Sequence, residues 1–276
     1  MTTAPERAAE YHPDPEPRLS STIARQLILR TPAHAKAALD GRGAPESDAM
    51  TTGTAVHQVL LRDDRIDVLP FDSYRTKDAQ AARDGARAAG RVPILAHKWD
   101  EARLIAEHVN GQILGYEPTP FTKGRAEVVM RWVENGTMCR ALLDWVRDDH
   151  SFIDDLKTTN DASPAKFRRH VFNMGYDIQA AFYCRAVESG LGVLPTFRWV
   201  VVETKPPYPV AVYQLSERAM ASAQVKVDTA IQLWNECMKS GEWPAYPAHV
   251  HEVDIPGWAS DEADMYADVD LEEVPF

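Results

Sequence analysis

The sequence predicts an α/β domain, with a mixed, mainly antiparallel sheet flanked by helices and a helical part at the N-terminal end. Two observations carry this. Five short stretches (126–133, 139–146, 151–158, 196–204 and 208–215) are rich in β-branched or aromatic residues, and only "ENGT" and "RDDH" separate the first three, as in an antiparallel meander. Elsewhere, apolar residues recur at helical spacing between recognisable start and stop residues. The 276 residues can bury a full core, and neither an internal repeat nor a linker splits the chain. One domain over 18–250 is expected.

Residues 1–17 are polar and proline-rich, which predicts a flexible arm. "LSSTIARQLIL" reads as a helix with Ser20 or Ser21 as N-cap. "TPAHAKAALDG" reads as another, with Thr31 capping, Pro32 at the first position and a glycine exit. "TGTAVHQVLLRD", 76–90 and 96–110 also read as helices, the second of these Ala/Arg-rich and exposed on one side. After the three-strand meander come a short helix, "SPAKFRRHVF", and a longer one, "GYDIQAAFYCRAVESG", ended by Gly190. Two strands return at "TFRWVVVET" and "YPVAVYQL", and a long helix opens at Ser216.

Composition narrows the function classes. There is no N-terminal basic-then-apolar signal and no apolar run long enough for a bilayer, so a cytoplasmic protein without a membrane partner is expected. Cys139, Cys184 and Cys237 are isolated, which fits reduced thiols and argues against a four-cysteine metal site. A net charge of −11 weighs against nucleic acid only superficially. Nine Asp or Glu and no Lys or Arg lie between Glu252 and Phe276, so the remaining body carries only about −2. A local basic groove on such a body is compatible with DNA.

The stretch "RALLDWVRDDHSFIDDLKTT" (140–159) places carboxylates and a lysine inside strand-like runs, where such residues are out of place. With a turn centred on Asp149-His150, pairing runs 147 with 152, 146 with 153, 145 with 154 and 144 with 155. Asp144 and Asp155 become cross-strand neighbours, with Cβ atoms roughly 4.5–5.5 Å apart. Lys157 shares the face of Asp155, while Trp145 and Asp154 point the other way. Facing carboxylates repel unless a cation or a shared proton neutralises them. Hard oxygen ligands of this kind suit Mg²⁺ or Mn²⁺, and a neighbouring lysine can orient a water or stabilise charge on a phosphate. A D-x-K triplet is also common as a structural salt bridge. "ETK" at Glu203–Lys205 is a second such triplet, without an acidic partner on a preceding hairpin strand.

With Asp144 as first acid and "DLK" at 155–157, the sequence resembles the PD-(D/E)xK nuclease superfamily, although Leu143 replaces the leading proline. It is similar in particular to the RecE-like phage and prophage exonucleases (exodeoxyribonuclease VIII-like), relatives of lambda exonuclease and RecB-type nuclease domains. "LSSTIARQLILRTPAHAKAAL", "GTAVHQVLL", "AEVVMRWVENGTMCRALLDWV", "IDDLKTT" and "GYDIQAAFYCRAV" carry the likeness over about two-thirds of the chain.

The resemblance implies a restriction-endonuclease-like core and a set of site residues. His57 matches a histidine beside the metal, and Glu127 an acidic position on the strand before Asp144. Leu156 matches a backbone carbonyl ligand, and Gln179 with Tyr183 the QxxxY pattern that reaches the DNA backbone or orders the lysine. Read alone, each of these is as well explained by a core or surface role. Lys123, Arg125, Lys166, Arg168 and Arg169 are candidates for a DNA track, or an ordinary solvated face.

The resemblance further implies a Mg²⁺-dependent exonuclease with Mn²⁺ as substitute and two ions. It would digest duplex DNA ends 5′ to 3′ to leave 3′ overhangs, as a homo-oligomeric ring. The acidic tail 251–276, ending Pro275-Phe276, is either a docking peptide for a RecT-like annealing protein or a solubilising extension. A catalytically inactive DNA-end-binding module and a sequence-independent endonuclease are the competing readings.

Overall fold

A computed structural model describes residues 16–41, 48–61 and 66–254. Most of the expected arm (1–15) and acidic tail (255–276) lies outside the described residues. The chain divides into two units at Ala245/Tyr246, and the fold and site below belong to the first.

The helices form where periodicity and caps place them. α1 (Ser21–Leu29) is capped by Ser20, whose hydroxyl accepts from the Ile23 N–H. α2 (Pro32–Leu39) starts at Pro32, but the Thr31 hydroxyl bonds His34 Nδ1 instead of closing the cap. α3 (Asp48–Leu61) carries "GTAVH". Then comes a unit the periodicity did not reveal: β1 (Ile66–Leu69) pairs in parallel with β2 (Val92–Leu95) across α4 (Lys77–Ala88). Each strand is only four residues long, and β2 contains Pro93, so neither gives a strand signal. α5 (Ala96–Gln112) leads to the main sheet.

That sheet has the order β3-β4-β5-β6-β7, made of Gly124–Glu134, Thr137–Arg147, Phe152–Thr159, Thr196–Glu203 and Val210–Tyr213. β3, β4 and β5 form the antiparallel meander. α6 (Pro164–Asn173) and α7 (Tyr176–Leu191) then cross over, so β6 lies parallel to β5, and β7 returns antiparallel. α7 ends at Gly192, in the left-handed region at φ 73°, and not at Gly190. α8 (Glu217–Ser240) is capped by Ser216. Among the described residues no helix is long and apolar enough to cross a membrane.

Helices cover both faces of the sheet. On one, Ile153, Phe197, Trp199 and Val201 pack with Ile23 and Leu27 of α1, Phe182 of α7 and Ile231 of α8. On the other, Leu156, Val200 and Val202 pack with Ala55 and Val56 of α3 and with Ile105 and Val109 of α5. The three layers are those of a restriction-endonuclease-like α/β core.

The hairpin register is the anticipated one: Trp145 pairs with Asp154, and Val146 with Ile153. The ladder between β4 and β5 stops there, and the strands part. Leu19 occupies the edge of β4 left open by β5, donating to Met138 O and accepting from Arg140 N, so α1 begins beside the gap. β4 also changes face at this point. Cys139, Ala141 and Leu143 share a core cluster with Val146, so the alternation slips between 143 and 146. Opposite in register stands Glu127, absent from an otherwise continuous β3–β4 ladder and held at φ 54°. That conformation is strained for a side chain without a compensating contact, and such strain concentrates at functional sites.

Candidate active site

The parting of β4 and β5 opens the sheet, and both helical layers meet through the opening. Asp155 and Lys157 follow Ile153 on the α7 face by strand alternation. Asp144 turns into the gap, where its Oδ2 accepts the Leu156 N–H at 2.9 Å. From the opposite layer, His57 Nε2 lies 2.9 Å from Asp144 Oδ1, and its Nδ1 lies 3.7 Å from Glu127 Oε1. The anticipated facing of Asp144 and Asp155 is thus achieved by the end of the ladder rather than by a ladder pair. α3 reaches this point because Gly53, one turn before His57, leaves room: a Cβ there would come within 2.9 Å of Thr158 Oγ1.

Asp155 is the centre of the cluster, with only 1% of its side chain exposed. Its Oδ2 accepts from Lys157 Nζ, and its Oδ1 accepts from Gln179 Nε2 at 3.1 Å. Gln179 therefore orders the carboxylate, not the lysine. Its own Oε1 is buried with no hydrogen-bond partner. Tyr183, one turn further along α7, is buried with its ring 6.1 Å from that of Phe197. Phe197 pairs with Ile153, two residues before Asp155, so Tyr183 lies down the strand from the cluster.

The charges are unbalanced. Burial pushes the Asp155 carboxyl up, and Asp144 adds to it; Lys157 and His57 offset only part, leaving it at about 6. For Asp144, burial acts upward but His57, Lys157 and the Leu156 N–H outweigh it, and the net direction is down. Burial alone would lower His57, yet Asp144, Glu127 and Asp155 raise it to about 9. Burial likewise opposes the Lys157 ammonium, and Asp155 and Asp144 more than restore it. Three carboxylates face one lysine and one histidine.

Among the described residues no three His, Cys, Asp or Glu side chains already converge as around a bound ion. The donor set nevertheless fits a divalent cation of the Mg²⁺ type: hard carboxylate oxygens in excess of the cations that neutralise them, with a histidine at hand. Asp154, next in sequence, is spoken for. It is fully buried, bonded by Arg198 Nε at 2.7 Å and by the Phe121 N–H at 3.0 Å.

The anticipated DNA-track cations are all exposed. Lys166, Arg168 and Arg169 lie exposed on α6, whose buried face is Phe167 and Val171. Lys123 and Arg125 are exposed at the start of β3, where Arg125 approaches Asp148 at 3.9 Å. Two residues beside the cluster carried no sequence signal. The Tyr176 ring lies 4.9 Å from Lys157 Nζ, and the Arg25 guanidinium lies over the same ring at 5.4 Å. An arginine on an amphipathic helix and a tyrosine opening another are unremarkable until the fold joins them.

Residues 20–254 match the family model of a PDDEXK-like domain of unknown function, DUF3799. Among solved structures, the chain is similar to a protein from Eubacterium rectale provisionally described as an exonuclease. The two are 14% identical over 91% of this chain and 94% of that one, with a TM-score of 0.57. SSO0001 is similar at 14% identity over 87% of this chain and 94% of its own, with a TM-score of 0.38. A phage-related exonuclease from Haemophilus somnus 129PT is similar at 13% identity over 68% and 95%, with a TM-score of 0.32. Comparison with curated proteins finds no match. The family match spans every residue of the cluster, and the chain belongs to the PDDEXK-like family DUF3799.

Proposed function

We propose that the protein is a metal-dependent deoxyribonuclease acting on linear duplex DNA as an exonuclease. The observation that carries this is the unbalanced cluster itself: Asp144 and Asp155 brought together where the sheet opens, with Lys157 on Asp155, in a PDDEXK-like fold. Asp144 and Asp155 would hold Mg²⁺, with His57, Glu127 and the Leu156 carbonyl as further ligands and room in the donor set for two ions. A divalent ion there supplies Lewis-acid polarisation of the phosphate and acidifies a bound water.

The chain's own residues do the rest. Gln179 fixes one oxygen of Asp155, which keeps that carboxylate from rotating away. Lys157 is held as a cation by the two acids, so it serves to orient the attacking water and to stabilise charge on the phosphate oxygens. Water oxygen bonds to phosphorus and gives up a proton to solvent, one P–O ester bond breaks, and the leaving oxygen takes up a proton from solvent. The exposed cations of α6 and of the start of β3 would contact backbone phosphates, positioning a duplex without reading its sequence. Digestion 5′ to 3′, a ring-shaped homo-oligomer and a RecT-like partner belong to this reading on the strength of the family resemblance.

The test is digestion of end-labelled linear duplex and of covalently closed circles, with Mg²⁺ or Mn²⁺, by wild type, Asp155→Ala and Lys157→Ala. Wild type alone should degrade the linear DNA and leave the circles intact. Cleavage of circles would make the enzyme an endonuclease. Metal-independent or absent activity in wild type would remove the reading.

A further inference from the structure

Among the described residues, Arg25 is a cation without a counter-charge. No carboxylate among them pairs with it, and its Nε is buried with no hydrogen-bond partner. Packing holds it instead. The guanidinium lies over Tyr176 at 5.4 Å, and its stem runs beside Gly175, where a Cβ would come within 3.0 Å of Arg25 Cγ. Gly175 stands in the left-handed region at φ 66°, so a side chain there is excluded twice over. The positive field is felt nearby: burial, then Arg25, lowers His170, whose ring lies 5.4 Å from that of Tyr176.

A half-buried guanidinium normally acquires a carboxylate or a ligand. Here the geometry points to what the ligand is. Tyr176 carries Arg25 and Lys157 on one ring, at 5.4 and 4.9 Å, so about 10 Å bounds the separation of the two cations. Phosphates along a strand are spaced by more than the ~3.4 Å axial rise per nucleotide, so about three nucleotides is the upper limit for that separation. A strand with its reacting phosphate at Lys157 therefore brings one of its next phosphates to Arg25. The planar fork of Arg25 suits two phosphate oxygens better than an ammonium would.

We propose that Arg25 is a positioning residue that grips a backbone phosphodiester of the strand being cut, with Tyr176 as the platform that fixes its distance from Lys157. This rests on the nuclease reading above. It adds a contact made by α1, an element that contributes nothing to the acidic cluster.

The test uses a duplex in which single phosphates near the cleaved end are replaced, one at a time, by neutral methylphosphonates. Cleavage (kcat and KM) and metal-free binding by fluorescence anisotropy are measured for wild type, Arg25→Ala and Arg25→Lys. One replacement within about three nucleotides of the cleaved bond should weaken wild type about tenfold or more. Arg25→Ala should lose as much on unmodified DNA and nothing further from that replacement. Replacements elsewhere should affect both alike, and Arg25→Lys should recover part of the loss. Misfolding would not produce position-specific insensitivity, and melting curves check the fold directly.

If Arg25→Ala keeps the full wild-type profile of sensitivities, or matches wild type on unmodified DNA, the proposal is overturned while the nuclease reading stands. If wild type does not cut at all, the nuclease reading fails. The binding profiles then decide the role of Arg25 by the same comparison.

Discussion

Asp154 and Asp155 are adjacent, both buried, and should respond to substitution in opposite ways. Asp154 compensates Arg198, itself buried, through contacts of 2.7 and 2.6 Å. Removing one partner of such a pair strands the other, so Asp154→Ala should cost about 3–5 kcal/mol. Asp155 sits under electrostatic load. Lifting its carboxyl from the ordinary 3.8 to about 6 costs about 3 kcal/mol of folding free energy once both states are ionised. That cost is already net of the attraction to Lys157 and His57, and Asp155→Asn relieves it while Lys157 keeps Asp144. Stability at pH 7 should therefore rise, by up to about 3 kcal/mol.

The pH dependence fixes the sign. Between about pH 4 and 6 the folded carboxyl of Asp155 binds a proton that the unfolded one does not. Wild type should therefore gain on Asp155→Asn as pH falls through that window, by up to about 3 kcal/mol. Urea unfolding in EDTA at several pH values measures both quantities. An Asp154→Ala variant as stable as wild type, or an Asp155→Asn variant clearly less stable than wild type at pH 7, would refute the assignment of one aspartate to structure and the other to the site.

Gln179→Leu removes the hydrogen bond to Asp155 along with an unpartnered buried oxygen, so stability should change little. Steady-state digestion should show kcat down by about 10–100-fold with KM nearly unchanged. Gly53→Ala drives a methyl against Thr158 Oγ1, displacing His57 one turn on, and should cost roughly 1–3 kcal/mol together with activity. Adding Thr158→Ala should recover much of both, as thermal melts and digestion rates will show. In differential scanning calorimetry, Mn²⁺ at about 100 times its Kd should stabilise wild type by about 2.7 kcal/mol, and Asp144→Asn by far less.

The sequence carried the hairpin register because turn length and alternation determine it: Trp145–Asp154 and Val146–Ile153 follow from a turn centred on Asp149-His150. What happens beyond those pairs was not legible. The strands part there, and the face slips between Leu143 and Val146 opposite a glutamate at φ 54°, a conformation that no residue type signals unless it is glycine. β1 and β2 were invisible because four residues make no period, and Pro93 argues against a strand. Gln179 belongs to the QxxxY pattern, which points to the DNA backbone or the lysine, but its partner Asp155 depends on how α7 crosses the sheet. Arg25 and Tyr176 lie 151 positions apart in the chain and meet only through tertiary packing.

The central claim is that Asp144 and Asp155 jointly hold a divalent ion beside Lys157. Anomalous scattering from a crystal soaked in Mn²⁺ tests it most directly. The account predicts a peak bonded to oxygens of both aspartates, with Lys157 close by and Asp154 still on Arg198. A peak on Asp154, or none at this cluster while Mn²⁺ binds elsewhere on the chain, would contradict it.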